Sequence, residues 1–143
     1  MDMELVLLIA EDDDNHFLLT KRYLERKGIT SRIVRFTDGR ALLNFLSAIE
    51  SSDSLSEITY LLLLDINMPK VTGLEVLRRI KQNQRLKNLP IIILTSFADR
   101  QIMDRCYSLG CNAYFTKPLQ GDDFIDTLKR LSVHLPSKQS CET

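Results

Sequence analysis

The chain lacks the features that would commit it to a charged partner, a membrane or an oxidising compartment. Its 143 residues carry 19 basic and 19 acidic side chains, a formal net charge of zero. That balance gives no electrostatic case for nucleic acid or for an anionic membrane surface. Cys106, Cys111 and Cys141 are odd in number and have no metal-ligand spacing, which fits reduced thiols in a cytoplasmic protein. No apolar run approaches the length of a bilayer span. The opening MDMELVLLIAEDD is short and acidic, unlike a secretory signal. The two histidines, His16 and His134, are isolated, and neither is assigned a catalytic role. After the first apolar run there is no Gly or Ser/Thr loop of the kind that cradles a nucleotide phosphate. Glu-Asp-Asp-Asp-Asn stands there instead, which argues against a flavin or nucleotide carrier.

What is present is a regular alternation. Apolar runs at residues 5–10, 31–36, 59–64, 91–95 and 113–116 read as strands. Between and after them lie helical patterns near residues 15–27, 40–49, 74–83, 99–109 and 123–132. Asp13 or Asp14 can cap the first helix, and Gly28 stops it. Thr72 and Glu75 have the spacing of a capping box. Residues 51–57 form a polar loop, and the end of the chain has the composition of a frayed tail. Strand and helix alternate five times, which predicts an α/β fold with a doubly wound parallel sheet and right-handed crossovers. One domain over residues 1–132 is expected, with a tail over 133–143.

The strand ends carry the chemistry. Leucines at 61–64 run straight into Asp65, and a core has no use for an unpaired carboxylate. In doubly wound sheets the ligand site lies beyond the carboxyl ends of the strands. The first strand ends in Glu11-Asp12-Asp13, the fourth in Thr95-Ser96 and the fifth in Lys117-Pro118. Clustered carboxylates call for a hard cation, and Mg2+ takes oxygen ligands while keeping waters. Asp12 and Asp65 can bind it directly, Glu11 through water, and Asn67 through its backbone carbonyl. With Lys117 and the Thr95 hydroxyl alongside, the set suggests phosphoryl transfer, with Asp65 as nucleophile.

These residues give the chain a family resemblance. The acidic pair Glu11-Asp12, LLLDINMP with Asp65, Gly73, IIILTS with Thr95, and AYFTKP with Lys117 stand in order at the ends of the right elements. Each is weak alone, but together they resemble the receiver domain of a two-component response regulator over residues 5–131. The resemblance implies a flavodoxin-like (βα)5 sheet in the order 2-1-3-4-5 and a cis peptide before Pro118. It implies a signalling switch rather than an enzyme, with Asp65 phosphorylated by a sensor histidine kinase or phosphotransfer protein. Within the family the chain looks like small chemotaxis-regulator-like proteins, some of which serve phytochrome-type kinases. Thr95 and Tyr114 fall at the switch positions. The face of helix four, strand five and helix five, with Arg100, Met103, Asp104, Tyr107 and Phe115, is then the expected partner or homodimer surface. Phe97 falls where the family tunes phosphate lifetime, and its bulk is expected to slow hydrolysis.

Plainer readings stand beside these. The acids after the first strand also suit a helix N-terminus. Thr95 and Tyr114 also suit strands on propensity. Gly73 is a backbone device near Pro69. A phosphorylation-independent adaptor with the same fold is the main alternative function.

Overall fold

The computed structural model describes residues 4–50 and 58–133. The polar loop expected at 51–57, His134, Cys141 and the tail beyond Val133 lie outside the described residues. The elements run β1 (Glu4–Ala10), α1 (Asp14–Arg26), β2 (Arg32–Phe36), α2 (Gly39–Glu50) and β3 (Ile58–Leu64). They continue with α3 (Gly73–Gln82), β4 (Ile91–Thr95), α4 (Arg100–Leu109), β5 (Ala113–Thr116) and α5 (Asp123–Val133). The strands form one parallel sheet in the order β2-β1-β3-β4-β5, as the resemblance implied. Among the described residues, no helix is long and apolar enough to cross a membrane.

The leucine run is explained by strand alternation. Successive side chains point to opposite faces of a strand. Leu62 and Leu64 pack with α2, α3 and α4, whereas Leu61 and Leu63 pack with α1 and α5. Ile91 and Ile93 go to the first core and Ile92 to the second. A central strand covered on both faces therefore reads as uninterrupted apolar sequence.

Helix ends follow the sequence signals, with one correction. Asp13 caps α1 by accepting from the His16 N–H at 3.0 Å. Gly110, at φ 109°, closes α4 in the left-handed region that favours glycine. Thr72 caps α3 by accepting from the Glu75 N–H at 3.3 Å. Glu75 does not reach back to complete the box. Its carboxylate turns forward along the helix to Arg78 and Arg79, at 2.9 and 2.7 Å. Charged partners are stronger acceptor matches than a neutral N–H, so they win. On the strand between α4 and α5, half-buried Phe115 packs edge-on to Phe124 of α5 at 5.4 Å between ring centroids.

The loop after β3 is folded tightly over the start of α3. The Gly73 N–H donates to the Ile66 carbonyl at 2.8 Å. A Cβ on Gly73 would lie 2.2 Å from the Asp65 carbonyl oxygen and 2.6 Å from the Ile66 Cα. Both are backbone atoms, so glycine is required by close approach. Gly73→Ala is expected to lower stability by about 1–3 kcal/mol in urea unfolding, the usual cost of overpacking. Wild-type stability in this variant would contradict the close approach.

Candidate functional site

Sheet order and register bring the strand ends together. Ala10 of β1 pairs with Leu64 of β3, so Glu11 and Asp12 emerge beside Asp65. The Asp65 N–H still donates to the Ala10 carbonyl at 3.1 Å, which fixes this juxtaposition. Leu64 pairs with Ile93, placing Thr95 at the next strand end. The Lys117 N–H donates to the Thr95 carbonyl at 2.8 Å, so β5 delivers the lysine to the same edge. Lys117–Pro118 is cis. The chain leaves β1 for α1 on one face and β3 for α3 on the other, which opens a crevice between them.

That crevice is a pocket of about 190 Å3. Glu11, Asp12, Asp65, Asn67, Thr95 and Lys117, all singled out from sequence, line it. Asp13, His16, Ser96 and Phe97 line it as well. Tyr114 is not among the lining residues. It is half-buried against the α4 side of the core, and its hydroxyl donates to the Phe97 carbonyl at 2.7 Å. The Phe97 N–H in turn approaches the Thr95 hydroxyl oxygen at 3.4 Å. Thr95, Phe97 and Tyr114 are thus in contact around the loop after β4.

Lys117 is the centre of the pocket. Its side chain is 7% exposed, and those of Glu11 and Asp65 are 5% and 6%. The ammonium donates to Glu11 Oε1, and to Asp65 Oδ2 at 3.1 Å. The second Glu11 oxygen accepts from the Asp13 N–H at 3.1 Å. Both Glu11 oxygens are therefore engaged. Asp65 Oδ1 has a long contact of 3.4 Å with the Asn67 N–H. Burial pushes the Glu11 carboxyl above its ordinary range, and the Asp65 charge adds to this, while Lys117 and the Asp13 N–H pull it down. Desolvation is the larger effect, ahead of the repulsion between clustered carboxylates.

Two residues at the site escaped sequence reasoning. His16 Nδ1 lies 3.1 Å from Lys117 Nζ and 3.9 Å from Glu11 Oε2. Arg35 of β2 donates from Nε to the Glu11 carbonyl at 3.1 Å and pairs with Asp14 at 2.8 Å. Its guanidinium sits 4.6 Å from the Phe17 ring centroid. Arg35 therefore ties the acidic loop to the neighbouring strand. The one available signal for His16 was its place in the first turn of a helix that starts at the acidic cluster.

The carboxylates of Glu11, Asp12 and Asp65 offer oxygens within 4.8 Å of one another. An all-oxygen, anionic donor set facing a pocket fits a hard divalent cation such as Mg2+. Cys106 and Cys111 take no part. Both are free and buried, and burial pushes the Cys111 thiol up to about 12.

The raised Glu11 pKa sets a pH dependence. A carboxyl that holds its proton more tightly when folded stabilises the fold below its unfolded pKa. That contribution is lost as pH rises from 4.5 through the raised value. Without divalent metal, wild type is expected to lose more melting temperature than Glu11→Gln as pH rises from 4.5 toward neutrality, because only wild type gives up the Glu11 proton on the way. Thermal unfolding at several pH values in a chelator checks this, and equal pH slopes for the two proteins would contradict it.

Known proteins match the chain along nearly its whole length. Residues 7–129 match the response regulator receiver domain family. The probable methanogenesis regulatory protein FilR2 of Methanothrix harundinacea is 36% identical over 126 residues, covering 88% of this chain and 80% of that protein. A receiver domain from Rhodospirillum rubrum is 35% identical with a TM-score of 0.72, over 90% of this chain and 91% of that one. The bacteriophytochrome response regulator AtBRR is 30% identical with a TM-score of 0.75, over 94% and 96%. With the fold, the strand order and the match over residues 7–129 in agreement, the chain belongs to the response regulator receiver domain family.

Proposed function

We propose that the protein is a single-domain phosphorelay switch that takes a phosphoryl group from a phosphohistidine onto Asp65. The observation that carries this reading is the Asp65 carboxylate itself. It is buried at a strand end, has one oxygen held 3.1 Å from Lys117, and lines a pocket shared with acidic residues and Thr95. In the proposed step Asp65 Oδ1 attacks phosphorus and forms the acyl phosphate. The phosphorus–nitrogen bond of the donor breaks, and its electron pair returns to the imidazole, which takes a proton from solvent water as it leaves. Lys117 stays by Asp65 and donates to a phosphoryl oxygen as charge develops. The Thr95 hydroxyl donates to another once the group is in place. Mg2+, held by Asp12 and Asp65 with Glu11 through water and the Asn67 carbonyl, supplies neutralisation of the phosphoryl charge when bound.

The family implies partners of the histidine kinase or phosphotransfer class, and the likeness to AtBRR favours a phytochrome-type kinase among them. Output follows from the contacts of the loop after β4. Movement of Thr95 toward the phosphoryl group draws on the Phe97 backbone, which Tyr114 holds through its hydroxyl. Tyr114 then turns inward, and the face of α4, β5 and α5 changes for partner binding or homodimerisation. Exposed Tyr107 on α4 is a ready contact on that face. No role in binding nucleic acid or membrane is proposed, and a cytoplasmic location is consistent with this reading.

Intact mass after incubation with acetyl phosphate and Mg2+ tests the acceptor. Wild type is expected to gain one phosphoryl group, and Asp65→Asn none. Omitting Mg2+ should abolish the gain. No adduct in wild type from acetyl phosphate or from kinase donors would favour the phosphorylation-independent adaptor. Phe97 is 41% exposed and lines the pocket, and its bulk is proposed to limit access for the hydrolytic water. Phe97→Ala is expected to shorten the phosphate lifetime several-fold, and an unchanged half-life would refute that role.

A further inference from the structure

An ammonium group has three N–H donors and no acceptor. In this structure Lys117 Nζ has three acceptors in reach: Glu11 Oε1, Asp65 Oδ2 at 3.1 Å and His16 Nδ1 at 3.1 Å. The lysine is therefore fully satisfied before any phosphoryl group arrives. Because the ammonium can only donate, the imidazole accepts through Nδ1, and its own proton sits on Nε2.

The proposed reaction asks Lys117 for one more bond, to a phosphoryl oxygen, so one present partner has to yield. The three are not equivalent. Glu11 is buried and anchored through its second oxygen by the Asp13 N–H. Asp65 carries the phosphoryl group and stays beside the lysine. His16 is neutral in this arrangement, and its side chain is 40% exposed. It also has somewhere to go. His16 lines both the acidic pocket and an adjoining cavity of about 330 Å3, bordered by Leu19, Thr20, Ser96 and Pro118. A hydrogen bond to a charged partner is stronger than one to a neutral partner, so a phosphoryl oxygen outcompetes the imidazole.

We propose that His16 is a positioning residue that holds the third donor of Lys117 in the resting state and is displaced by the incoming phosphoryl group. This rests on the reading of Asp65 as the acceptor. Its consequence runs against simple intuition. Deleting a residue at the site should make the phosphorylated form easier to reach, because the resting state loses a bond that phosphorylation must otherwise break. Resting Lys117 is then less restrained, while the phosphorylated state is little changed. His16 thereby sets the balance between the two states without touching the transferred atoms.

Beryllofluoride, a stable mimic of the phosphoryl group, tests this by calorimetric titration in Mg2+. His16→Leu keeps bulk but loses the acceptor, and is expected to bind beryllofluoride about 2- to 10-fold more tightly, the range of one net hydrogen bond. His16→Gln keeps an acceptor oxygen and should return affinity to near wild type. A spectroscopic arm separates positioning from a merely structural role. In protein labelled with 15N-histidine, the His16 Nδ1 resonance, assigned by its loss in His16→Gln, should shift on adding beryllofluoride. Lys117→Met without ligand should shift it in the same direction. Unchanged or weaker binding by His16→Leu, or an Nδ1 resonance that beryllofluoride leaves in place, would overturn the proposal. Failure of wild type to bind the mimic at all would instead remove the Asp65 reading, and this inference with it.

Discussion

The buried ammonium of Lys117 between the Glu11 and Asp65 carboxylates is the interaction on which the rest of the site depends. It joins the ends of β1, β3 and β5, which are 106 and 52 residues apart from the lysine along the chain. Taking such charges out of water is costly, and their attraction repays that cost only in good geometry. The site remains unbalanced even so. Glu11, Asp12 and Asp65 set three carboxylates against one ammonium, an arrangement that favours an added cation over an added anion. In the proposed chemistry a bound cation would ease the approach of a phosphate to such a pocket. The electrostatics of the resting state and the order of the proposed chemistry thus share one origin.

Around this centre the backbone leaves little freedom. Gly73 lies against the Asp65 and Ile66 backbone, and Gly39 lies against the Val71 carbonyl in a similar way. The Gly39 N–H donates to the Pro69 carbonyl at 3.2 Å, and Lys70, at φ 69°, places its ammonium 3.7 Å from Asp38. The loops after β2 and β3 are therefore interlocked. A carboxylate held in a rigid loop keeps its oxygens aimed at the pocket, which catalysis by positioning requires. The loop after β4 is tied down less. Before the Asp99 cap its links are the long Thr95–Phe97 contact and the Tyr114 hydroxyl, which suits the movement proposed for that segment.

Much of this was legible in the sequence because it is local. The unbroken run of leucines announced a strand buried on both faces, and Asp65 at its end announced a site. Asp13 or Asp14 and Thr72 announced caps, and Asp13 and Thr72 serve as caps. What could not be read were choices settled by distant partners. His16 looked like an isolated surface histidine because its partner Lys117 is 101 residues away. Arg35 looked like an ordinary strand residue, but the pairing of Ile9 with Arg35 sets it beside the acidic loop. Glu75 had the right spacing for a capping box, and two arginines on its own helix took its carboxylate instead. Phe115 was named on the expected partner face from the resemblance, and its edge-on packing against Phe124 was not legible from sequence.

The central claim is that this geometry makes one particular carboxylate, Asp65, the phosphoryl acceptor among several in the same pocket. Borohydride reduction of the phosphorylated protein, followed by peptide sequencing in the mass spectrometer, reads that choice directly. Reduction converts an acyl-phosphorylated aspartate to homoserine and leaves free carboxylates intact. The account predicts homoserine at position 65 alone. Homoserine at position 12, or a reduced side chain at Glu11, would contradict it.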